Sequence, residues 1–249
     1  MQVSNAMIAS MERVRIFKQM HAFIGDLSHS LGLERIGPWL TERIFWRANT
    51  ADKVVALSFD DGPHERYTPA LLRYLEESHV PATFFMIGRQ VRKNPDIARD
   101  VANGPHEIGN HTFTHPRLPM LGDVQVTREL AETHDIIRDV TGREPVHMRP
   151  PMGLFTKRVV NLTEKAGYRT VVGDVYPRDP HKPGTHKIVR RVLGRVQPGS
   201  LIILHDGGNT PGVDRSQTVD GVKEIVPRLQ DKGYRFVTLS ELVRSGNEM

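Results

Sequence analysis

From residue 51 onward, short apolar runs rich in β-branched residues alternate with longer segments whose apolar residues recur at helical spacing. Seven runs read as strands: Val54–Phe59, Ala82–Ile87, Glu107–Asn110, Val146–Arg149, Thr170–Asp174, Ser200–Leu204 and Arg235–Leu239. Their shortness and β-branched content favour strand over buried helix. Between them, Glu65–His79, Pro95–Ala102, Asp123–Val140, Thr156–Ala166, His186–Val196 and Val219–Gln230 have helical character. The pattern is clearest in Asp123–Val140, where Val126, Leu130, Ile136, Ile137 and Val140 lie close to one stripe. Thr156 offers an N-cap, and Gly167 and Gly233 offer helix stops. Strand–helix alternation of this kind implies an α/β fold with a parallel sheet. About seven such units favour closure into a (β/α) barrel over an open sheet.

Residues 1–50 follow a different pattern. Apolar pairs such as Ile16-Phe17 and Phe45-Trp46 recur at roughly helical spacing, broken at Ile36-Gly37-Pro38-Trp39. The expectation is a helical N-terminal extension that caps a catalytic domain over 51–246. The 249 residues suit one barrel-sized domain. The formal charge of +5 comes without a basic stretch interleaved with aromatics, which points to a solvated basic surface and not to nucleic acid. The absence of cysteine removes disulfides, thiolate ligands and cysteine nucleophiles. No apolar run approaches the roughly 20 residues of a membrane span, so no transmembrane segment is expected. No secretory signal is visible at the N-terminus, and the compartment stays open between the cytoplasm and an extracytoplasmic form without its signal.

Polar residues cluster at the ends of the strands. Asp60-Asp61, His111, Arg149, the stretch from Asp174 to Asp179, and His205-Asp206 sit at or just beyond the C-terminal ends of apolar runs. In a (β/α) barrel that face carries the chemistry. Ser58-Phe59-Asp60-Asp61-Gly62 sets two carboxylates side by side, and their repulsion must be relieved by a cation or a proton. His111-Thr112-Phe113-Thr114-His115 sets two imidazoles four positions apart, a spacing that lets both face one point from a helical turn. One carboxylate and two imidazoles complete a protein ligand set for a catalytic zinc that keeps a position open for water. The second carboxylate is then free to act as a base.

Two further segments add to this set. Arg149-Pro150-Pro151-Met152-Gly153 reads either as a stiff loop with a solvated arginine or as a guanidinium fixed to orient a carboxylate by a paired, bidentate contact. Leu201-Ile202-Ile203-Leu204-His205-Asp206 delivers His205 from a buried strand, in a position suited to proton transfer. His106 reads as a packing or supporting histidine, not a fourth ligand. His21, His29, His64, His79, His134, His147, His181 and His186 have no comparable context and read as structural or exposed.

Together these motifs resemble the polysaccharide deacetylases of carbohydrate esterase family 4, the group with the NodB homology domain. The match runs over about residues 51 to 245 in the family's order: SFDDG for TFDDG, HTFTH for H(S/T)xxH, RPPMG for the arginine-proline motif and ILH for LxH. The resemblance implies a distorted (β/α) barrel. By motif position it assigns Asp61, His111 and His115 to a divalent metal ion, with Zn2+ expected. It makes Asp60 the general base oriented by Arg149, and His205 the general acid tuned by Asp179, with a backbone N–H near Met152 beside the oxyanion. The implied reaction is removal of N-acetyl groups from an N-acetylglucosamine-containing polysaccharide or oligosaccharide, chitin-like or peptidoglycan-like, with release of acetate.

The fourth motif departs from the family pattern. In Val172-Gly173-Asp174-Val175-Tyr176-Pro177-Arg178-Asp179-Pro180, Gly173 and Pro180 stand where tryptophans belong and Tyr176 stands at an aspartate. Met152 likewise replaces an aromatic. These changes alter the sugar-contacting surface and leave room for an alternative: a deformylase or deacetylase of a small or lipid-linked amino sugar or another non-polymeric amide.

Overall fold

In the computed structural model, residues 43–246 are described. Most of the expected N-terminal helical extension lies outside the described residues. Its last part differs from expectation: Ile44–Phe45 is a strand (β1), paired in parallel with Arg169–Val171 (β6). The helical spacing read at Phe45-Trp46 is overridden by burial, because both side chains enter the core.

The seven expected strands all form. After β1 come Val54–Gly62 (β2), Thr83–Met86 (β3), Glu107–Asn110 (β4), His147–Met148 (β5), β6, Leu201–His205 (β7) and Arg235–Val237 (β8). Every ladder pairing is parallel, in the order β1-β6-β5-β4-β3-β2-β7, with β8 against β2. The six expected helices are present within a few residues of their limits, for example Asp123–Thr141 and Ser216–Asp231. Thr156 caps Lys157–Lys165 by accepting from Val159 N–H. Gly88–Lys93 and Leu239–Ser245 are two short helices that the spacing did not predict, the second closed by a Thr238–Glu241 capping box.

Strand β2 organises the rest. Its lower half pairs with β8, its upper half with β3, and its other edge with β7. Alternation along the strand sends Val55, Leu57 and Phe59 outward into a core shared with the surrounding helices, where Phe59 stacks on Phe84 at 5.1 Å. Ala56 faces the opposite way, into an inner cluster with Phe85, Val171 and Leu201. Ser58 and Asp60 follow Ala56 in the same alternation, and so do Ile203 and His205 after Leu201. One period-2 rule therefore delivers Asp60 and His205 to the interior of the ring at the C-terminal end of the sheet.

The ring is not closed by a continuous ladder. On one side of the seam stands β7; on the other, the chain just after β1 and β6 reaches it through two isolated bridges, Arg47 to Ser200 and Val175 to Ile202. This irregular seam is where the distortion of the barrel sits. It brings the segment after β6 alongside β7 and so carries Asp179 to His205. Among the described residues no helix is long and apolar enough to cross a membrane.

Candidate active site

Asp60, Asp61, His111, His115, Arg149 and His205 all line one cavity of about 380 Å3 at the C-terminal end of the strands. Asp60 is the inward-facing residue near the end of β2. Asp61 follows with φ 76°, a left-handed conformation that turns its carboxylate back toward the same space. The two carboxylates are nearly buried, at 4% and 8% exposure, so each needs a charge partner.

Arg149, just past β5, partners Asp60. Its Nη1 lies 2.5 Å from Asp60 Oδ1 and donates also to Ser58 Oγ at 2.8 Å. The contact runs through one guanidinium nitrogen, where a paired contact was expected. The rest of the guanidinium lies over the Phe85 ring, 4.1 Å from its centroid. Burial pulls the Arg149 pKa down from its ordinary value, and the Asp60 carboxylate works against that. The solvated-loop reading of Arg149 is thereby excluded.

Asp61 faces the two imidazoles. His111 Nε2 and His115 Nε2 lie 3.4 and 3.2 Å from Asp61 Oδ1, and the ring centroids are 5.0 Å apart. The three donor atoms fall within 4.8 Å of one another. His111 Nδ1 meets the Arg149 carbonyl at 2.7 Å, so the proton of the neutral ring sits on Nδ1 and Nε2 carries a lone pair. That lone pair points at a carboxylate oxygen that is itself buried without a hydrogen-bond partner. Lone pairs converging in a buried space call for a cation, and this donor set suits a divalent metal ion.

The two imidazoles do not converge from a helical turn. Residues 111–115 form an irregular turn, with Thr112 at φ 65° and His115 at φ 59°. Two side chains that sequence reasoning missed hold it in place. Asn110 Oδ1 accepts from Thr112 N–H, while Glu129 accepts from Phe113 N–H, Thr114 N–H and Thr114 Oγ1. Glu129 lies 14 positions beyond His115 in a separate helix, and no local pattern links it to the turn.

His205 ends β7. Its Nδ1 lies 3.0 Å from Asp179 Oδ1, and its backbone N–H donates to Asp179 Oδ2 at 2.9 Å. Thr218 Oγ1 donates to the same oxygen at 2.8 Å. Burial would lower the His205 pKa, but the Asp179 charge and hydrogen bond, with smaller contributions from Asp61 and Asp60, raise it to about 9. The ring is thus a cation at neutral pH with its second nitrogen directed at the cavity it lines. Asp206, next in sequence, is buried against the turn of the backbone at the irregular end of β2 and accepts from Thr68 Oγ1 at 2.5 Å. Burial, with the Asp61 and Asp60 charges added, pushes its pKa up to about 7.

Not every strand-end polar residue joins the site. Asp174 turns toward the start of β7, binding Leu201 N–H at 2.8 Å and Ser200 Oγ at 2.9 Å. His106 packs on Phe84 and accepts from Ala82 N–H, and burial lowers its pKa to about 4. His147 pairs with Glu107 and His134 with Tyr168, and neither histidine lines the cavity. His181, read as structural or exposed, is exposed, and in addition it lines the cavity.

The altered fourth motif stays in place. Tyr176 and Pro180 line the cavity, and the Tyr176 ring stands 6.0 Å from His205. Gly173 has no room for a side chain, since a Cβ there would sit 2.8 Å from Ile203 Cγ1 at φ 101°. Ile203 instead faces the cavity and supplies apolar wall.

A family model described as polysaccharide deacetylase matches residues 47–171. A peptidoglycan-N-acetylglucosamine deacetylase of Bacillus cereus is 39% identical over 206 residues, covering 82% of this chain and 94% of that protein. A chitooligosaccharide deacetylase of Sinorhizobium fredii is 40% identical over 202 residues, covering 78% and 94%. The crystal structure of the Bc1960 peptidoglycan N-acetylglucosamine deacetylase matches with a TM-score of 0.77 at 32% identity, over 83% of this chain and 95% of that one.

The Arg149–Asp60 pair generates a stability prediction. Arg149→Met strands a buried carboxylate, which costs on the order of 3–5 kcal/mol. Adding Asp60→Asn to the same protein recovers much of that loss, as read by chemical denaturation. An equal cost of Arg149→Met with and without Asp60→Asn would show that the loss does not come from the pair.

Proposed function

The chain belongs to the polysaccharide deacetylase family, carbohydrate esterase family 4, and from that premise we propose that it hydrolyses the N-acetyl amide of N-acetylglucosamine units in a glycan. One observation carries the reading. A carboxylate held by Arg149 and an imidazolium held by Asp179 face the same cavity as a buried cluster of one carboxylate and two imidazoles. An acceptor aimed by a guanidinium and an acid aimed by a carboxylate, both facing one cavity, are what acid–base hydrolysis of an amide requires.

Asp61, His111 and His115 would hold the ion, and the ion that two imidazoles and one carboxylate suit best is zinc. Bound there, it would supply Lewis-acid polarisation of the amide carbonyl and of a water. Asp60 takes a proton from the attacking water as the water oxygen adds to the carbonyl carbon, and Arg149 keeps the carboxylate aimed. The Gly153 N–H is committed to the Pro150 carbonyl, so the backbone donor for the developing oxyanion is Met152 N–H. His205, with Nδ1 engaged by Asp179, gives its other ring proton to the sugar nitrogen as the C–N bond breaks. Acetate and a free amine result.

Arg149 and Asp179 act as orienting partners in this reading, and the substrate is an acetylated amino-sugar glycan of the kind for which the Bacillus and Sinorhizobium relatives are named. Tyr176, Pro180, Met152 and His181 form the wall and mouth that the sugar meets.

Elemental analysis of the purified protein should give about one zinc per chain, and acetylated chitooligosaccharides should release acetate, with kcat/KM rising with oligomer length. Activity confined to a monomeric amino sugar would transfer the reading to a small amide. Absence of both metal and acetate release would overturn it.

The His205 pKa fixes a pH dependence. The imidazolium exists below about 9 and is lost as pH rises through that value, so turnover falls on the alkaline side. Asp179→Asn removes the largest of the charges that raise this pKa and shifts the alkaline limb to lower pH. A bound dication lowers the limb in both proteins and leaves the direction of the difference unchanged. A pH–rate profile identical to that of the unaltered protein would remove Asp179 from the mechanism.

A further inference from the structure

Four successive backbone N–H groups of the turn that presents the two imidazoles end on side-chain oxygens. Thr112 N–H donates to Asn110 Oδ1 at 2.9 Å, and His115 N–H to Thr112 Oγ1 at 3.2 Å. The two between them, from Phe113 and Thr114, converge on Glu129 Oε2 at 2.8 and 2.7 Å. Glu129 Oε1 takes a third bond, from Thr114 Oγ1 at 2.6 Å. Among the side chains outside the turn that hold it, Glu129 makes the most of these bonds.

The turn has no regular hydrogen bonding of its own: its carbonyls at Thr112 and Phe113 accept from Gly88 and Arg89 N–H at 3.0 and 3.1 Å, while its N–H groups depend on side chains. Its residues lie in neither helix nor strand, and two non-glycine positions, Thr112 and His115, adopt left-handed φ. Such conformations persist only where the surroundings over-determine them. His115 depends most on this support, because His111 follows directly on β4 and is fixed by the Arg149 carbonyl. Glu129 is well placed to give support: it projects from Asp123–Thr141, whose Val126, Leu130 and Ile137 are fully buried. A carboxylate can accept three donors at once and bind two adjacent N–H groups through one oxygen.

We propose that Glu129 is the positioning residue of the metal site: by clasping the backbone of the His111–His115 turn, it sets the separation of the two imidazoles and with it the affinity for the ion. The role rests on the reading of Asp61, His111 and His115 as metal ligands. It is not a ligand role, since the carboxylate is fully engaged with the turn. It predicts a graded response. Glutamine can still accept both N–H groups on Oε1 and donate to the Thr114 hydroxyl from Nε2. Aspartate keeps the charge but withdraws the acceptors by one methylene, and alanine removes them.

The test is the zinc affinity of the full-length chain, measured by competition with a chromophoric chelator, for the unaltered protein and for Glu129→Gln, Glu129→Asp and Glu129→Ala. Circular dichroism and the melting temperature of each metal-free protein report folding separately. Glu129→Ala and Glu129→Asp are expected to weaken zinc binding by about 10- to 100-fold, the usual cost of losing a group that orients a metal ligand. Glu129→Gln is expected to stay close to the unaltered protein. Undiminished affinity in folded Glu129→Ala, or a loss in Glu129→Gln as large as in Glu129→Ala, overturns the proposal. Should Glu129→Ala fail to fold, undiminished affinity in folded Glu129→Asp overturns it equally. An unaltered protein that takes up no zinc defeats the metal-site reading itself and the Glu129 role with it. That result is distinct from equal affinities across the series.

Discussion

Asp60 and Asp61 leave β2 side by side with little exposure to water, and their mutual repulsion is the constraint that the surrounding site is built to answer. Neither charge can be relieved by solvent, so each is met by groups from other elements. Arg149 reaches Asp60 from the end of β5, and its guanidinium is covered by Phe85. His111 and His115 reach Asp61 from beyond β4 and bring their Nε2 atoms within 3.4 and 3.2 Å of its Oδ1, a set that could hold a metal ion. Asp206, held against the same end of β2, lies in a field that favours its protonated form. One pair of residues thus dictates the chemistry of three neighbouring loops.

The same field keeps the His205 ring protonated. His205 would lose its proton to burial alone, yet Asp179 and the two carboxylates of β2 keep it. The elements involved are distant in sequence and meet through the sheet. Register places Asp60 opposite His205 in neighbouring strands, and the irregular seam brings the segment after β6 against β7. Parallel strands whose C-terminal ends converge make such a meeting possible with few residues per strand.

Much of this was legible in the sequence because it depends on local pattern. Strand–helix alternation marks the fold, and Asp60-Asp61, His111, His115, Arg149 and His205 each follow closely on an apolar run, so a strand end places them. What was not legible depends on non-local packing. The strand at Ile44–Phe45 is too short to show a period and exists only because β6 pairs with it. The helical geometry expected of His111–His115 fails because side-chain acceptors, above all Glu129, displace the helical hydrogen bonds of that turn. Their place after an apolar run does not tell Asp174 from Asp179; only the family motif assigned Asp179. The Val175–Ile202 bridge separates them, sending one to the base of β7 and the other to His205. His181 gave no signal, because its place at the cavity mouth follows from the turn at Asp179–His181 and not from its neighbours.

The central claim is that two adjacent carboxylates divide the work, Asp61 holding the ion and Asp60 moving the proton. Metal content and kcat measured together on Asp60→Asn and Asp61→Asn test it most directly. The account predicts that Asp60→Asn keeps its metal while kcat falls by about 10² to 10⁴, the usual cost of losing a general base, and that Asp61→Asn loses the metal. Turnover in Asp60→Asn equal to that of the unaltered protein, or loss of metal from it as complete as from Asp61→Asn, would contradict that division.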